Sequence, residues 1–349
     1  MSTPAYPSVP DSRSAVSLAW PAAVALAAAM GIGRFAFTPV WPLMAQEGGL
    51  SLAQGSWIAS ANYAGYLLGA LAAVVWPVRH PRGQLALSLL AVALLTLAMP
   101  LIHDVAFWCA LRLAAGYASA SAFICVASSR PVPAGDPREP AASGLTYAGV
   151  GAGIALTGLA CLALMAWGVR ADGMWLALGG LTLALSAIAW PGLNRAPASG
   201  RPSAAAAQPG RLSPAIPRLA LHYGVFGVGY IIPATFLPAM AKEVISDPAI
   251  FGWAWPLFGL AAAVSCLLVP RLARGGDDKR VWQGAQALMA LGMLAVALWH
   301  HIAAVIVAAL LVGGTFMVIT QAGMLTARRA AGAAAPPVSY THLTLPTKA

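Results

Sequence analysis

Polar side chains are confined to short intervals along the chain, and the stretches between them are apolar and of membrane-crossing length. With soft edges they cover residues 15–44, 57–77, 84–101, 105–129, 141–168, 173–191, 217–240, 250–271, 281–299 and 302–325. A spanning helix needs about 20 mostly apolar residues, because every backbone N–H and C=O must be paired within it when no water is present. The alternating pattern of a membrane barrel is absent. The pattern therefore predicts an all-α polytopic membrane protein of about ten transmembrane helices. The first stretch breaks its own rule: "GIGRFAFTPVWPLM" at 31–44 places Arg34 inside an apolar segment.

Composition supports this reading. Hydrophobic residues make up 60% of the chain, charged residues 9%, and the mean hydropathy is +0.76. The net charge of +10 gains meaning from its placement. Arg13, Arg79, Arg82, Arg130, Arg138, Arg195, Arg201, Arg211, Arg218, Arg271, Arg274, Lys279, Arg280, Arg328 and Arg329 fall on one side of a ten-span alternation, and only Arg170 and Lys242 on the other. Cytoplasmic loops carry the Lys/Arg excess, so the N-terminus is expected in the cytoplasm. The bilayer accounts for the basic charge, and no nucleic-acid partner is needed.

The first apolar segment could be read as a signal peptide, with Arg13 before it and Ala27, Ala28 and Ala29 as a cleavage-like run. A repeat argues otherwise. Gly31, Gly33, Pro42 and Met44 recur as Gly227, Gly229, Pro238 and Met240, and Trp57 recurs as Trp253 at the same spacing. Six spans separate the copies, and an even number makes two parallel halves. Between them lies "GLNRAPASGRPSAAAAQPGRLSP", which reads as a flexible cytoplasmic linker. No strand precedes either G-x-G, so a phosphate-cradling turn is disfavoured. Gly31, Gly33 and Pro42, with Gly227, Gly229 and Pro238, instead predict close packing or matching gating bends, one per half.

Two parallel six-helix halves joined by a basic linker resemble the major facilitator superfamily. The segments "GIGRFAFTPVWPLM", "WIASANYAGYLLGALAA" and "GVFGVGYIIPATFLPAM" look like its YbfB/YjiJ-like branch of bacterial inner-membrane transporters. Arg112, Gly116 and Ala120 resemble the superfamily's fourth-helix R-x-x-x-G-x-x-x-A pattern. "YAGVGAGIALTG" sits where a glycine-rich fifth-helix motif is expected, without its proline, and "PVRHPRG" lacks the acidic residue usual in the second-to-third-helix loop. The resemblance implies an N-terminal half over 1–191, a linker over 192–216 and a C-terminal half over 217–337. Residues 338–349, "VSYTHLTLPTKA", break with the composition and resemble translated sequencing adapter, so they are set aside as an artefact. The repeat then predicts a six-plus-four bundle, with two further helices expected past Pro337.

In this superfamily the first, fourth, seventh and tenth helices line a central cavity. The resemblance thus places Arg34, Arg112, His222, Tyr223, Tyr230, Thr235, Thr315, Thr320 and Gln321 along it. A charge at mid-membrane costs about 2.5–3.5 kcal/mol on insertion scales, so the two arginines are expected to face protein, water or ligand. No Asp or Glu lies deep in any stretch to pair with them. Arg34, Arg112, Tyr223, Tyr230, Thr235 and Gln321 are accordingly candidate substrate-binding residues for a small organic anion. The competing readings are that Arg34 snorkels and that Arg112 bonds backbone carbonyls.

Asn62, Tyr63 and Tyr66 could tune a gate or cross-link helices. Proton coupling is expected from the family, with Glu47, Asp104 and His222 as its few candidate carriers. Cys109, Cys125, Cys161 and Cys266 lie singly in apolar spans and read as small hydrophobes. Neither HExxH nor GxSxG occurs, and adjacent His300 and His301 could not share one metal. No catalytic residue, cofactor or metal is expected. The reading is a monomeric secondary transporter of the bacterial inner membrane. A carrier of neutral or cationic drugs or sugars, and a non-transporting sensor, are its alternatives.

Overall fold

The computed structural model describes residues 14–76, 78–129, 132, 136–195, 215–244, 252–272 and 278–330. The linker residues 196–214, the tail 338–349 and the link to it from 331 lie outside the described residues. Helices cover each of the ten apolar stretches: α1 (Ala15–Leu26) and α2 (Phe37–Gly48) share the first, followed by α3 (Leu52–Val75), α4 (Pro81–Leu97), α5 (Val105–Ser128), α6 (Glu139–Ala166), α7 (Ala171–Arg195), α8 (Ala215–Val244), α9 (Ala254–Leu272), α10 (Asp278–Leu298) and α11 (Ile302–Ala330). No strand occurs among the described residues. Among the described residues seven segments, counting Ala15–Gly48 as one, are long and apolar enough to cross a membrane, whereas Pro81–Leu97 and Ala254–Pro270 are shorter apolar helices.

Local chemistry sets the boundaries. Ser14 caps α1 by accepting from Ser17 N, and Asp104 caps α5 by accepting from Phe107 N. Ser51 and Gln54 form a capping box, so α3 begins at Leu52, five residues ahead of the expected start at 57. Gly49 and Gly168, at φ +60° and +71°, let the chain turn at the ends of α2 and α6, where a side chain would be strained. Leu87, Leu90 and Leu94 on α4, with Leu288, Leu291, Leu294 and Leu298 on α10, form exposed leucine stripes. Such stripes suit acyl chains and are foreign to a water-facing surface.

Inside the first half, α3 packs on α5, α4 on α5 and α7, and α1 on α6 and α7. In the second half, α11 packs against α8, α9 and α10. The halves join along α6 and α9 and again where α2 meets α8. The α6–α9 seam is built of small residues: Gly151 lies against Ala263 and Gly259, Gly259 against Ala155, and Gly158 against Pro256. A β-carbon at any of these glycines would run into facing backbone or ring atoms, so close approach requires them.

The first span is interrupted. A π-helical turn, Ala27–Ile32, follows α1, and residues 33–36 form a turn before α2. Here Gly33 N and Phe35 N reach back five residues, to Ala28 O and Met30 O. Such a bulge leaves carbonyls without their usual helical donors. Side chains from other helices supply donors. Arg112 donates to Gly33 O at 3.0 Å and to Arg34 O at 2.8 Å, Asn62 donates to Gly33 O at 3.4 Å, and the Thr157 hydroxyl, 2.7 Å from Gly153 O of its own helix, shares its proton with Gly31 O at 3.2 Å.

Candidate functional site

Arg34 leaves this interruption and enters the seam between the halves. It is 8% exposed. Its Nη2 donates to the Tyr230 hydroxyl on α8 at 3.0 Å. The guanidinium carbon lies 4.1 Å from the Tyr66 ring centre, 5.4 Å from Tyr63 and 5.5 Å from Phe35. Ring faces stabilise a desolvated cation by about 2 kcal/mol, which partly replaces the missing carboxylate. Nε and Nη1, both buried, donate to nothing among the described residues. An unmade charge-assisted hydrogen bond in a dry site is costly, so two idle donors mark a place where an acceptor can bind.

Arg112 is used differently. It is 3% exposed, and its two terminal nitrogens are held by the carbonyls of Gly33 and Arg34. Asn62 in turn donates to Arg112 O at 2.9 Å. Arg112 therefore positions the backbone that carries Arg34: both its terminal nitrogens are taken, and only its buried Nε lacks a partner among the described residues. Gly116 and Ala120 continue the same face of α5: a β-carbon on Gly116 would meet Asn62 O, and Ala120 packs against Gly69 of α3. The R-x-x-x-G-x-x-x-A spacing is thus a helix-packing face, with residues four apart in register.

Around Arg34 two more polar contacts join the halves. Thr38 donates to Ala234 O at 3.0 Å, and the Tyr63 hydroxyl is bonded to the Thr235 hydroxyl, which itself donates to Ile231 O. Arg34 with Tyr230 and Thr38 with Ala234 are each 196 residues apart, the spacing of the sequence repeat. Each residue thus touches the position that the sequence repeat makes its counterpart.

Tyr223 and Gln321 belong to a neighbouring layer. Tyr223 donates to Thr320 at 3.1 Å, and Gln321 donates to Ser143 of α6 at 3.4 Å. Seven residues separate Tyr223 from Tyr230, about 10 Å along a helix. The layers are joined by rings: Tyr223 meets Phe226 edge-on, Phe226 stacks on Tyr230 at 5.0 Å, and Tyr230 stacks on Phe316 at 5.6 Å. Phe316, Phe258 and Trp255 extend the stack. Of these aromatic residues only the tyrosines were singled out by sequence, because a ring on an apolar helix carries no signal until its neighbours are known.

Glu47, Asp104 and His222 lie elsewhere. Glu47 accepts from Ala171 N at 3.3 Å at the start of α7, Asp104 caps α5, and exposed His222 meets Trp282 edge-on. Gly31 lies against Gly153, and Gly33 against Val92 and Ser119. Pro42 is buried in α2. Gly227, Gly229 and Pro238 fall inside α8, which runs on as one α-helix without the π-helical turn and break of the first copy. The four cysteines are free thiols, and no His/Cys/Asp/Glu group suited to a metal occurs among the described residues. A cavity of about 500 Å³ between α3, α4 and α5, bounded by Trp76, Arg79, Gln84 and Tyr117, lies apart from Arg34. The donors at Arg34 are sealed in the seam, so the chemistry, not the open volume, marks the site.

Residues 26–346 match the family described as "Uncharacterised MFS-type transporter YbfB". No curated protein matches the chain significantly. Among matching solved structures is the crystal structure of a D-xylose-proton symporter, with TM-score 0.67 and 12% identity, covering 95% of this chain and 87% of that one.

Proposed function

The chain belongs to the family of MFS-type transporters described by YbfB, a family of multi-pass membrane carriers without enzymatic chemistry, and from that premise we propose that it moves a small organic anion bound at Arg34. The observation that carries this reading is the pair of idle, buried donors on Arg34 at the junction of the halves. A carboxylate there would complete the hydrogen bonding and supply the countercharge that no described side chain provides. Arg112 acts as the positioning residue, holding the interrupted helix so that Arg34 points into the seam.

Transport follows by alternating access. The halves meet at Arg34 and Tyr230, so rocking them apart breaks that bond and frees the guanidinium on one side. The α6–α9 seam supplies a smooth contact for the motion, since glycines present no side chain to interlock. The Lys/Arg asymmetry supports a cytoplasmic N-terminus in the bacterial inner membrane. Protons are proposed as the coupling ion, and equal flux with and without a pH gradient would remove that part of the reading.

The test is uptake of labelled carboxylates and phosphates by proteoliposomes holding the chain. Arg34→Ala is expected to abolish uptake of the preferred anion, and Arg34→Lys to restore only part of it, because an ammonium keeps the charge but loses the planar fork. Unchanged uptake of the whole panel by Arg34→Ala overturns the reading.

A further inference from the structure

We infer that the anion taken at Arg34 is an aromatic monocarboxylate, an extension that rests on the anion-carrier reading above. The first ground is the count of free donor forks. Arg34 and Arg112 are the cations at this level, but both terminal nitrogens of Arg112 are committed to Gly33 O and Arg34 O. Its field adds attraction without offering a second free fork. One carboxylate can therefore be met by a guanidinium, while a second on the same ligand would be buried without a contacting cation. Leaving a charge in that condition is strongly unfavourable.

The second ground is the shape and chemistry of what surrounds the free donors. Tyr230, whose hydroxyl holds Arg34, lies in a run of nearly parallel rings, at 18° to Phe226 and 15° to Phe316, with centroids 5.0 and 5.6 Å apart. Tyr66 covers the guanidinium face. An acceptor must then approach in the guanidinium plane, and its body must follow the ring stack. When the halves part, the Tyr230 hydroxyl is released from Arg34 while its ring stays stacked with Phe226 and Phe316, and a flat ring whose carboxylate takes the place of that hydroxyl on the guanidinium lies beside the edge of this stack, where ring against ring is the favoured contact. An aliphatic ring of similar size would bury comparable area but lose the stacking geometry, worth about 0.5–1.5 kcal/mol for an aromatic pair.

The experiment is a binding titration on the full chain in detergent near neutral pH, with benzoate, cyclohexanecarboxylate, phthalate and inorganic phosphate as probes, read by calorimetry and by thermal stabilisation. Benzoate is expected to bind about twofold to twelvefold more tightly than cyclohexanecarboxylate, the ratio that a ring-stacking preference gives. Phthalate and phosphate are expected to bind more weakly than benzoate. Phe316→Leu should bring benzoate down to the level of cyclohexanecarboxylate while both still require Arg34; Tyr66→Leu serves as the check if Phe316→Leu fails to fold. Equal binding of benzoate and cyclohexanecarboxylate, both lost in Arg34→Ala, overturns the aromatic assignment and leaves the anion carrier standing. Phthalate binding as tightly as benzoate overturns the single-charge assignment. Failure of every carboxylate and phosphate to bind removes the anion reading itself.

Discussion

The two copies of the G-x-G…P-x-M pattern share their residues but not their fate. In the first, Gly31 and Gly33 lie in a π-helical turn and the bend after it, pressed against Gly153, Val92 and Ser119. In the second, Gly227 has open space at its β position, Gly229 has only the Met293 sulfur at 3.9 Å, and the helix runs on unbroken. The partner helices explain the difference. Gly116 packs on Asn62 O in the first half and Gly313 packs on Phe258 O in the second, which aligns the two arrangements. By that alignment Phe258 replaces Asn62, and Ala309, four residues before Gly313, replaces Arg112. A helix can break inside a membrane only where something satisfies the released carbonyls. The first half has those donors and the second has alanine and phenylalanine. A motif shared by two helices thus fixes their sequence but not their shape.

The contrast is open to direct attack. The largest effect is expected from Gly31→Leu, whose side chain would drive into the Gly153 backbone; loss of the monodisperse peak in size-exclusion chromatography is the expected readout. Arg112→Ala should come next, because it strands the carbonyls of Gly33 and Arg34. Each buried unsatisfied group costs about 1–3 kcal/mol, so the apparent melting temperature should fall by several degrees even with ligand absent. Ala309→Gly, at the equivalent place in the second half, should cost only about 1 kcal/mol, since no carbonyl depends on it. Thr38→Val removes one bond to Ala234 O and should lower stability by about 1 kcal/mol, measurable as a shift in the same melt. Smallest is Gly227→Ala. With nothing near its β position and helical backbone, it should raise stability by about 0.5–1 kcal/mol, and a marked loss there would show that the second copy must bend during the cycle.

Much of the fold was legible beforehand. Apolar length pointed to an all-helical membrane fold, and helices cover the apolar stretches it picked out. The interruption of the first span was only half legible: glycines announced a close approach, but the decision to break lay with Arg112, Asn62 and Thr157, which are far away in sequence. Both arginines read from sequence as candidate substrate ligands, with carbonyl bonding as the competing reading for Arg112, and its contacts to Gly33 O and Arg34 O match that competing reading. Three-dimensional neighbours separate them: Arg112 has both terminal nitrogens on carbonyls, whereas Arg34 keeps one terminal nitrogen and its Nε without a partner among the described residues. Thr38 was not singled out at all, although the repeat spacing, applied outside the obvious motif, pairs it with Ala234.

The contacts at the repeat spacing also set a limit on symmetry. Had the two halves once been identical chains assembled as a symmetric pair, the residue at this place would have faced a copy of itself. Two tyrosines could share a hydrogen bond there, whereas two arginines would have opposed like charges out of reach of water. The present pairing of Arg34 with Tyr230 is accordingly a form that a twofold ancestor could not have used. Within one polypeptide the two positions are free to differ, and the seam is accordingly polar, with a guanidinium on one side and a phenol on the other.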